Sequence, residues 1–137
     1  METSLILVKP DGVERRLAGE IIARIERAGL TIRGMRLTLV SRKEAERHYA
    51  EHRGKPFYDG LVEYITSAPV VALAVAGENA VAKMRSLIGA TNPLEAAPGT
   101  IRGDYGLVIA ANLVHGSANL DDAERELQIF FPEGLLG

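Results

Sequence analysis

The chain is expected to fold as an α+β sandwich, because short apolar runs suited to strands alternate with segments whose apolar residues recur at helical spacing. In order the patterns read strand, helix, strand, helices, strand, helix and loop, strand, helix. That is βαββαβ with additions: a ferredoxin-like sandwich with a four-stranded antiparallel sheet and helices on one face. At 137 residues the chain has the size of one ordinary domain, and residues 1–137 are expected to form a single domain with a sizeable core.

Leu5, Ile6, Leu7 and Val8 form a continuous apolar run, read as a buried strand, and Lys9-Pro10-Asp11-Gly12 reads as the turn that closes it. From Leu17, apolar residues at Ile21, Ile22, Ile25 and Ala28 make a helical stripe, with Gly29 as its stop. Leu30 and Ile32 alternate on one parity, and Met35, Leu37 and Leu39 on the other, which predicts a bulge near Arg33-Gly34. Ser41 with Glu44 three residues on is a capping box opening a helix over 43–52. Residues 57–67 have helical spacing, 70–76 read as a central strand, and 80–88 as a helix stopped by Gly89. Pro93, Pro98, Gly99 and Gly103 predict a loop over 91–103. The last strand runs through Asn112-Leu113-Val114-His115-Gly116-Ser117. Asn119 then caps a helix whose stripe is Leu120, Ala123, Leu127, Phe130 and Phe131, with Asp121 and Asp122 in its first turn.

Composition narrows the function. Apolar residues make up 47% and charged residues 25%, the balance of a globular protein. The net charge of −2 and pI near 5.9 argue against a nucleic-acid surface, so any anion site must be local. The absence of cysteine excludes disulfides, thiol catalysis and Cys-ligated metals, and fits a cytoplasmic location. No segment has the length of a signal-peptide core or a membrane span, so the chain is expected to be used as written and off the membrane.

The chemistry centres on His115. An unperturbed imidazole titrates near pH 6.5, so just above neutrality it is largely uncharged and carries a lone pair without help from a separate base. A histidine is therefore a direct acceptor for a phosphoryl group, where a serine would need activation. Phosphoryl transfer also needs cations, and the chain has no Walker A motif, so side chains must hold the phosphates. The candidates are Lys9 at a strand end, Arg85 on a helix and Arg102 in the Gly/Pro loop; Tyr49 and Thr91 offer hydroxyls, which periodicity does not place near anything. A carboxylate from the last helix would fix the tautomer of His115. Glu124 and Glu126 both flank its apolar stripe, so spacing leaves the choice open, and Ser117 would orient whichever is used. His48 and His52, four apart, have metal-compatible spacing but no third ligand, and read as a surface helix.

Four motifs in order, K-P-D-G, H-Y-A-E-H-R-G-K-P-F, G-A-T-N-P-L-E-A-A-P-G-T-I-R-G-D-Y and N-L-V-H-G-S, resemble the nucleoside diphosphate kinase family from about Leu5 to Phe131. The resemblance implies ping-pong transfer of a terminal phosphate between nucleoside tri- and diphosphates through a phosphohistidine at His115. It places the family's glutamate on Glu126 and its serine on Ser117. Lys9, Tyr49, Arg85, Thr91 and Arg102 match phosphate-holding residues, Asn112 and Lys9 those that reach the sugar, and Phe57 and Leu61 the apolar clamp on the base. Stacking engages a face every base has, so broad base tolerance is expected. The resemblance also implies Mg2+ bridging phosphate oxygens with few protein ligands, and a homo-oligomer, a hexamer ahead of a tetramer. Two positions depart from the family pattern: Ala118 stands where H-G-S-D would continue, and Ala68 where S-G-P is usual. A non-catalytic nucleotide-binding module on the same fold is the rival class.

Overall fold

A computed structural model describes residues 1–136. Strands β1 (Glu2–Val8), β2 (Thr31–Thr38), β3 (Val70–Gly77) and β4 (Val114–Gly116) form one antiparallel sheet in the order β2-β3-β1-β4. The helices are α1 (Pro10–Glu14), α2 (Ala18–Arg27), α3 (Arg42–His48), α4 (Tyr58–Ile65), α5 (Ala80–Ile88), α6 (Ile101–Tyr105) and α7 (Leu120–Phe130). The predicted βαββαβ core is present, with α2 and α5 as its two crossovers.

The apolar runs of β1 and β3 are continuous because both faces of these central strands are covered. Ile6, Val8, Leu73 and Val75 pack on α2 and α5, while Leu5, Leu7, Val70 and Ala72 pack under α4 and α7. Helices on one face thus describe the core crossovers; the additional helices close the second face. Burying both faces removes every side chain of residues 5–8 from water.

Several element bounds differ from the sequence reading, each for a local reason. Residues 10–12 open a helix, since proline at its first position has the right φ and needs no backbone donor. The helix opened by Ser41 ends at His48 and gives way to a 3-10 turn over Ala50–His52. Within the Gly/Pro stretch, the Asn92 side chain accepts from Leu94 N at 3.1 Å and starts a 3-10 turn at Pro93–Glu95. The Thr100 hydroxyl accepts from Gly103 N at 3.0 Å and starts α6, so Arg102 is a helical residue. The bulge falls where predicted, between Ile32 and Gly34. Both halves of the Ser41–Glu44 capping box form, at 2.9 and 3.1 Å.

Candidate active site

Strand register aims His115. It stands opposite Leu7 in the β1–β4 ladder and so shares the face covered by α7, whereas Val114, opposite Val8, packs toward α2 and α5. Gly116 allows that short strand to lie against α5, because a Cβ there would meet Ile88 Cδ1 at 2.7 Å. The approach that the glycine permits is a core contact.

Helix α7 then brings up Glu126. Its buried stripe is Ala123, Glu126, Ile129 and Phe130, rotated from the sequence reading so that Leu120 is exposed and Glu126 faces inward. Nε2 of His115 lies 3.1 Å from Glu126 Oε1, and the Ser117 hydroxyl donates to the same oxygen at 2.7 Å. Glu124 is exposed, so of the two candidates only Glu126 reaches the histidine. Ser117 Oγ also accepts from Leu5 N at 3.0 Å, anchoring the carboxylate to the central strand.

Two of the three cations, Lys9 and Arg102, meet at the segment that leads into β4. Lys9 Nζ donates to Asn112 Oδ1 at 2.9 Å, and Asn112 Nδ2 donates to the Thr91 carbonyl at 2.9 Å. Arg102 is buried and donates to the carbonyls of Asn112, Gly89 and Val114 at 3.2, 3.1 and 2.6 Å. Burial and then the charge of Arg102 push the Lys9 ammonium down to about 8, with Asp11 pulling the other way. Burial and Arg85 push Arg102 down to about 10. Such a cluster is short of negative charge. Arg85 is exposed and lines, with Gly89 and Thr91, an open cleft beside the buried Arg102.

Tyr49 closes the opposite wall. Burial, aided by the Glu126 carboxylate, raises its phenol to about 12, so it stays a proton-bearing donor. Rings run outward from His115 to His48, Tyr49, His52 and Phe57, with centroids 4.7, 4.6, 6.3 and 5.3 Å apart in turn. Phe57 is 51% exposed at the far end. Leu61 follows one turn later on the same side of α4 and is half-buried. These two residues stand at the outer end of the row, away from His115.

Three residues beside the site, His48, Asp11 and Tyr64, escaped the sequence reading. His48 is buried, not on a surface helix: its Nδ1 lies 3.7 Å from Glu126 Oε2. The buried Ala45 one turn earlier is the signal that placed it inward. Asp11 Oδ2 accepts from Leu113 N at 3.1 Å, and Asp11 Oδ1 accepts from the Tyr64 hydroxyl at 2.6 Å. Together they hold Leu113 in a left-handed backbone conformation, φ 74°, immediately after Asn112 and two residues before His115. Gly12 makes room for this, since a Cβ there would meet the Leu113 carbonyl at 2.8 Å. No sequence signal links Asp11 with Tyr64 across 53 residues. Of the two departures, Ala68 is not in a left-handed conformation, so its backbone does not call for glycine; Ala118 lines a surface cleft with Arg85, Asn119 and Asp121.

A half-exposed histidine oriented by a buried carboxylate and flanked by cations has the make-up of a phosphotransferase centre. The sequence profile described as nucleoside diphosphate kinase matches residues 2–135, and the chain belongs to that family. The nucleoside diphosphate kinase of Rubrobacter xylanophilus is 60% identical over 131 residues, 96% of this chain and 98% of the relative. That of Archaeoglobus fulgidus is 56% identical over 133 residues, 97% and 88% of the two chains. The structure of a halophilic nucleoside diphosphate kinase from Halobacterium salinarum in complex with CDP superposes with a TM-score of 0.96 at 47% identity. It covers 99% of this chain and 91% of that one. The chain accordingly transfers the terminal phosphate of a nucleoside triphosphate to a nucleoside diphosphate.

Proposed function

We propose that the transfer runs in two half-reactions through Nδ1 of His115. The supporting observation is the single 3.1 Å contact between His115 Nε2 and Glu126 Oε1. With the Nε2 proton held by the carboxylate, the Nδ1 lone pair is left for phosphorus. In the first half-reaction an N–P bond forms as the bond from the terminal phosphorus to its bridging oxygen breaks, and a nucleoside diphosphate leaves. In the second, a terminal phosphate oxygen of another diphosphate takes the phosphoryl group and His115 is regenerated. Growing positive charge on the ring is met by Glu126, whose position Ser117 fixes.

Lys9, Arg85, Arg102, Tyr49 and Thr91 hold the phosphates in this reading, Asn112 and Lys9 meet the sugar hydroxyls, and Phe57 with Leu61 clamps the base. Nearby carboxylates are already engaged, Glu126 with His115 and Ser117, Asp11 with Tyr64 and Leu113. That donor set suits Mg2+ carried on phosphate oxygens better than a protein-built cage. Bound there, magnesium would neutralise phosphate charge. The exposed Met35 and Leu37 on edge strand β2, Leu39 just beyond it, and the exposed run Leu107, Val108 and Ile109 supply apolar surface for a homo-oligomer, a hexamer ahead of a tetramer. A cytoplasmic location fits a chain whose described residues contain no helix long and apolar enough to cross a membrane.

Incubation with γ-labelled triphosphate and magnesium should give an acid-labile, base-stable phosphoenzyme and a burst of diphosphate. Label that persists in His115→Ala would overturn the assignment, and nucleotide binding without any burst would favour the non-catalytic module.

A further inference from the structure

His48 sets a problem that phosphate transfer does not solve. Its Nδ1 is buried with no hydrogen-bond partner, a rare condition for an interior nitrogen. The ring is clamped on three sides by Tyr49, His115 and Phe130. The end of α3 that carries it is tied down by Arg125, which donates to the carbonyls of Arg47 and His48. The unpartnered nitrogen therefore points at Glu126 by construction, at 3.7 Å, too far for a hydrogen bond.

One atom from each of His48, His115 and Glu126 lies within 4.8 Å of the others. We propose that these three residues form a binding site for a divalent transition-metal ion of the zinc type, and that a metal seated there blocks the enzyme. Two imidazoles and one carboxylate are a donor set that zinc takes with a fourth position open, whereas magnesium favours oxygen ligands. Ligand atoms around a tetrahedral zinc stand about 3.3 Å apart, given bonds of about 2.0–2.1 Å. The contacts to Glu126, 3.1 Å from His115 to Oε1 and 3.7 Å from His48 to Oε2, lie near that spacing, and the carboxylate must offer one of its two oxygens to an ion shared by both rings. The ligand atoms lie within 4.8 Å of one another, so seating the ion requires a turn of the His115 ring, the more exposed of the two imidazoles.

The buried, unpartnered Nδ1 of His48 is the nitrogen that faces Glu126, and with the ring proton on Nε2 its lone pair is left for the ion. Binding at Nε2 of His115 requires the ring's one proton to move from Nε2 to Nδ1, the tautomer that a coordinated neutral imidazole adopts. The atom read above as the nucleophile then has no lone pair, so the block rests on that reading while the binding does not. The useful pairing of His48 is thus with His115 and Glu126, not with His52 four residues on.

The test is zinc titration of metal-stripped, nucleotide-free enzyme against a chromophoric chelator, in buffer with excess magnesium. One zinc per chain should bind with micromolar affinity or better, and cobalt should give the visible absorption of tetrahedral coordination. His48→Ala and His48→Gln should each weaken binding by about 100-fold, judged by what even outer-shell losses cost metal sites, and His52→Ala should leave it unchanged. Circular dichroism of each variant checks the fold, and the Gln variant keeps a polar group in the cavity if Ala unfolds. With one equivalent of zinc bound, the burst of diphosphate should vanish and return on chelation. Within His48→Gln the same zinc should leave the burst unchanged. No zinc binding in competition with magnesium, equal affinity in the His48 variants, or a normal burst from zinc-loaded enzyme each overturns the proposal. A metal-free enzyme with no burst would instead remove the His115 reading and leave the binding result intact.

Discussion

Glu126 Oε1 receives the Ser117 hydroxyl at 2.7 Å and stands 3.1 Å from His115 Nε2, so one buried oxygen couples the histidine to the central strand. Glutamine at 126 retains an oxygen for Ser117 but has no charge to offset an imidazolium. We expect Glu126→Gln to lower the phosphorylation rate by about 100-fold, the scale of a lost acid–base or orienting partner, with little change in nucleotide affinity. Stopped-flow burst kinetics separate the two. A rate within a factor of two or so of the parent would remove Glu126 from the mechanism.

Ser117→Ala should damage stability as well. It strands the buried Leu5 N–H, which now donates to Ser117 Oγ at 3.0 Å. The cost should be about 1–3 kcal/mol in urea unfolding, together with a slower burst.

Lys9 gives the free enzyme an alkaline limit. Its ammonium, lowered to about 8 by burial and Arg102, loses its charge as pH rises through that value. The kcat/KM for triphosphate should therefore fall above about pH 8, and Lys9→Arg, which stays charged, should lack that limb even where its overall rate is lower. A limb unchanged in the arginine variant would assign it elsewhere. For stability the sign runs the other way. Unfolded Lys9 binds its proton more tightly than the folded residue, so its penalty is present below about 8 and relieved as pH climbs toward 10.5.

Arg102 has two separable roles. Replacing it with methionine removes the donors to Gly89, Asn112 and Val114 and should cost about 2–4 kcal/mol of unfolding free energy, chiefly from the Gly89 and Val114 carbonyls, since Asn112 O keeps the Val114 N–H. It also removes a positive neighbour of Lys9, so the alkaline limb should move to higher pH. Denaturant titration and a pH–rate profile on the same variant read the two effects.

The Asp11–Tyr64 pair is predicted to position the strand that carries the site. Tyr64→Phe deletes the 2.6 Å bond to Asp11, which in turn fixes Leu113. Stability should fall by about 1 kcal/mol, and the burst should slow while phosphate affinity holds. An unaltered burst at that loss of stability would reduce the pair to a structural tie.

The sequence by itself determined the elements and most of the site's cast. Continuous apolar runs placed three strands, alternation the second strand with its bulge at Gly34, helical spacing the long helices, and a capping pair the start of α3, because these depend on residues a few positions apart. The four motifs named the family and nominated His115, Glu126 and the cations. The start of α6 was missed because Gly and Pro composition hid the Thr100 cap.

Only the tertiary structure decided which groups meet. α7 could have presented Glu124 or Glu126 to a neighbour; packing against β1 rotated its stripe and buried Glu126. His48 turned from a surface residue into a buried partner of that carboxylate, and Asp11 met Tyr64 across the fold. Arg102, named for phosphate, also proved to bind three backbone carbonyls. These outcomes share one physical reason: a local pattern fixes which face a residue occupies, but which groups share a buried, low-dielectric space depends on packing between elements distant in sequence.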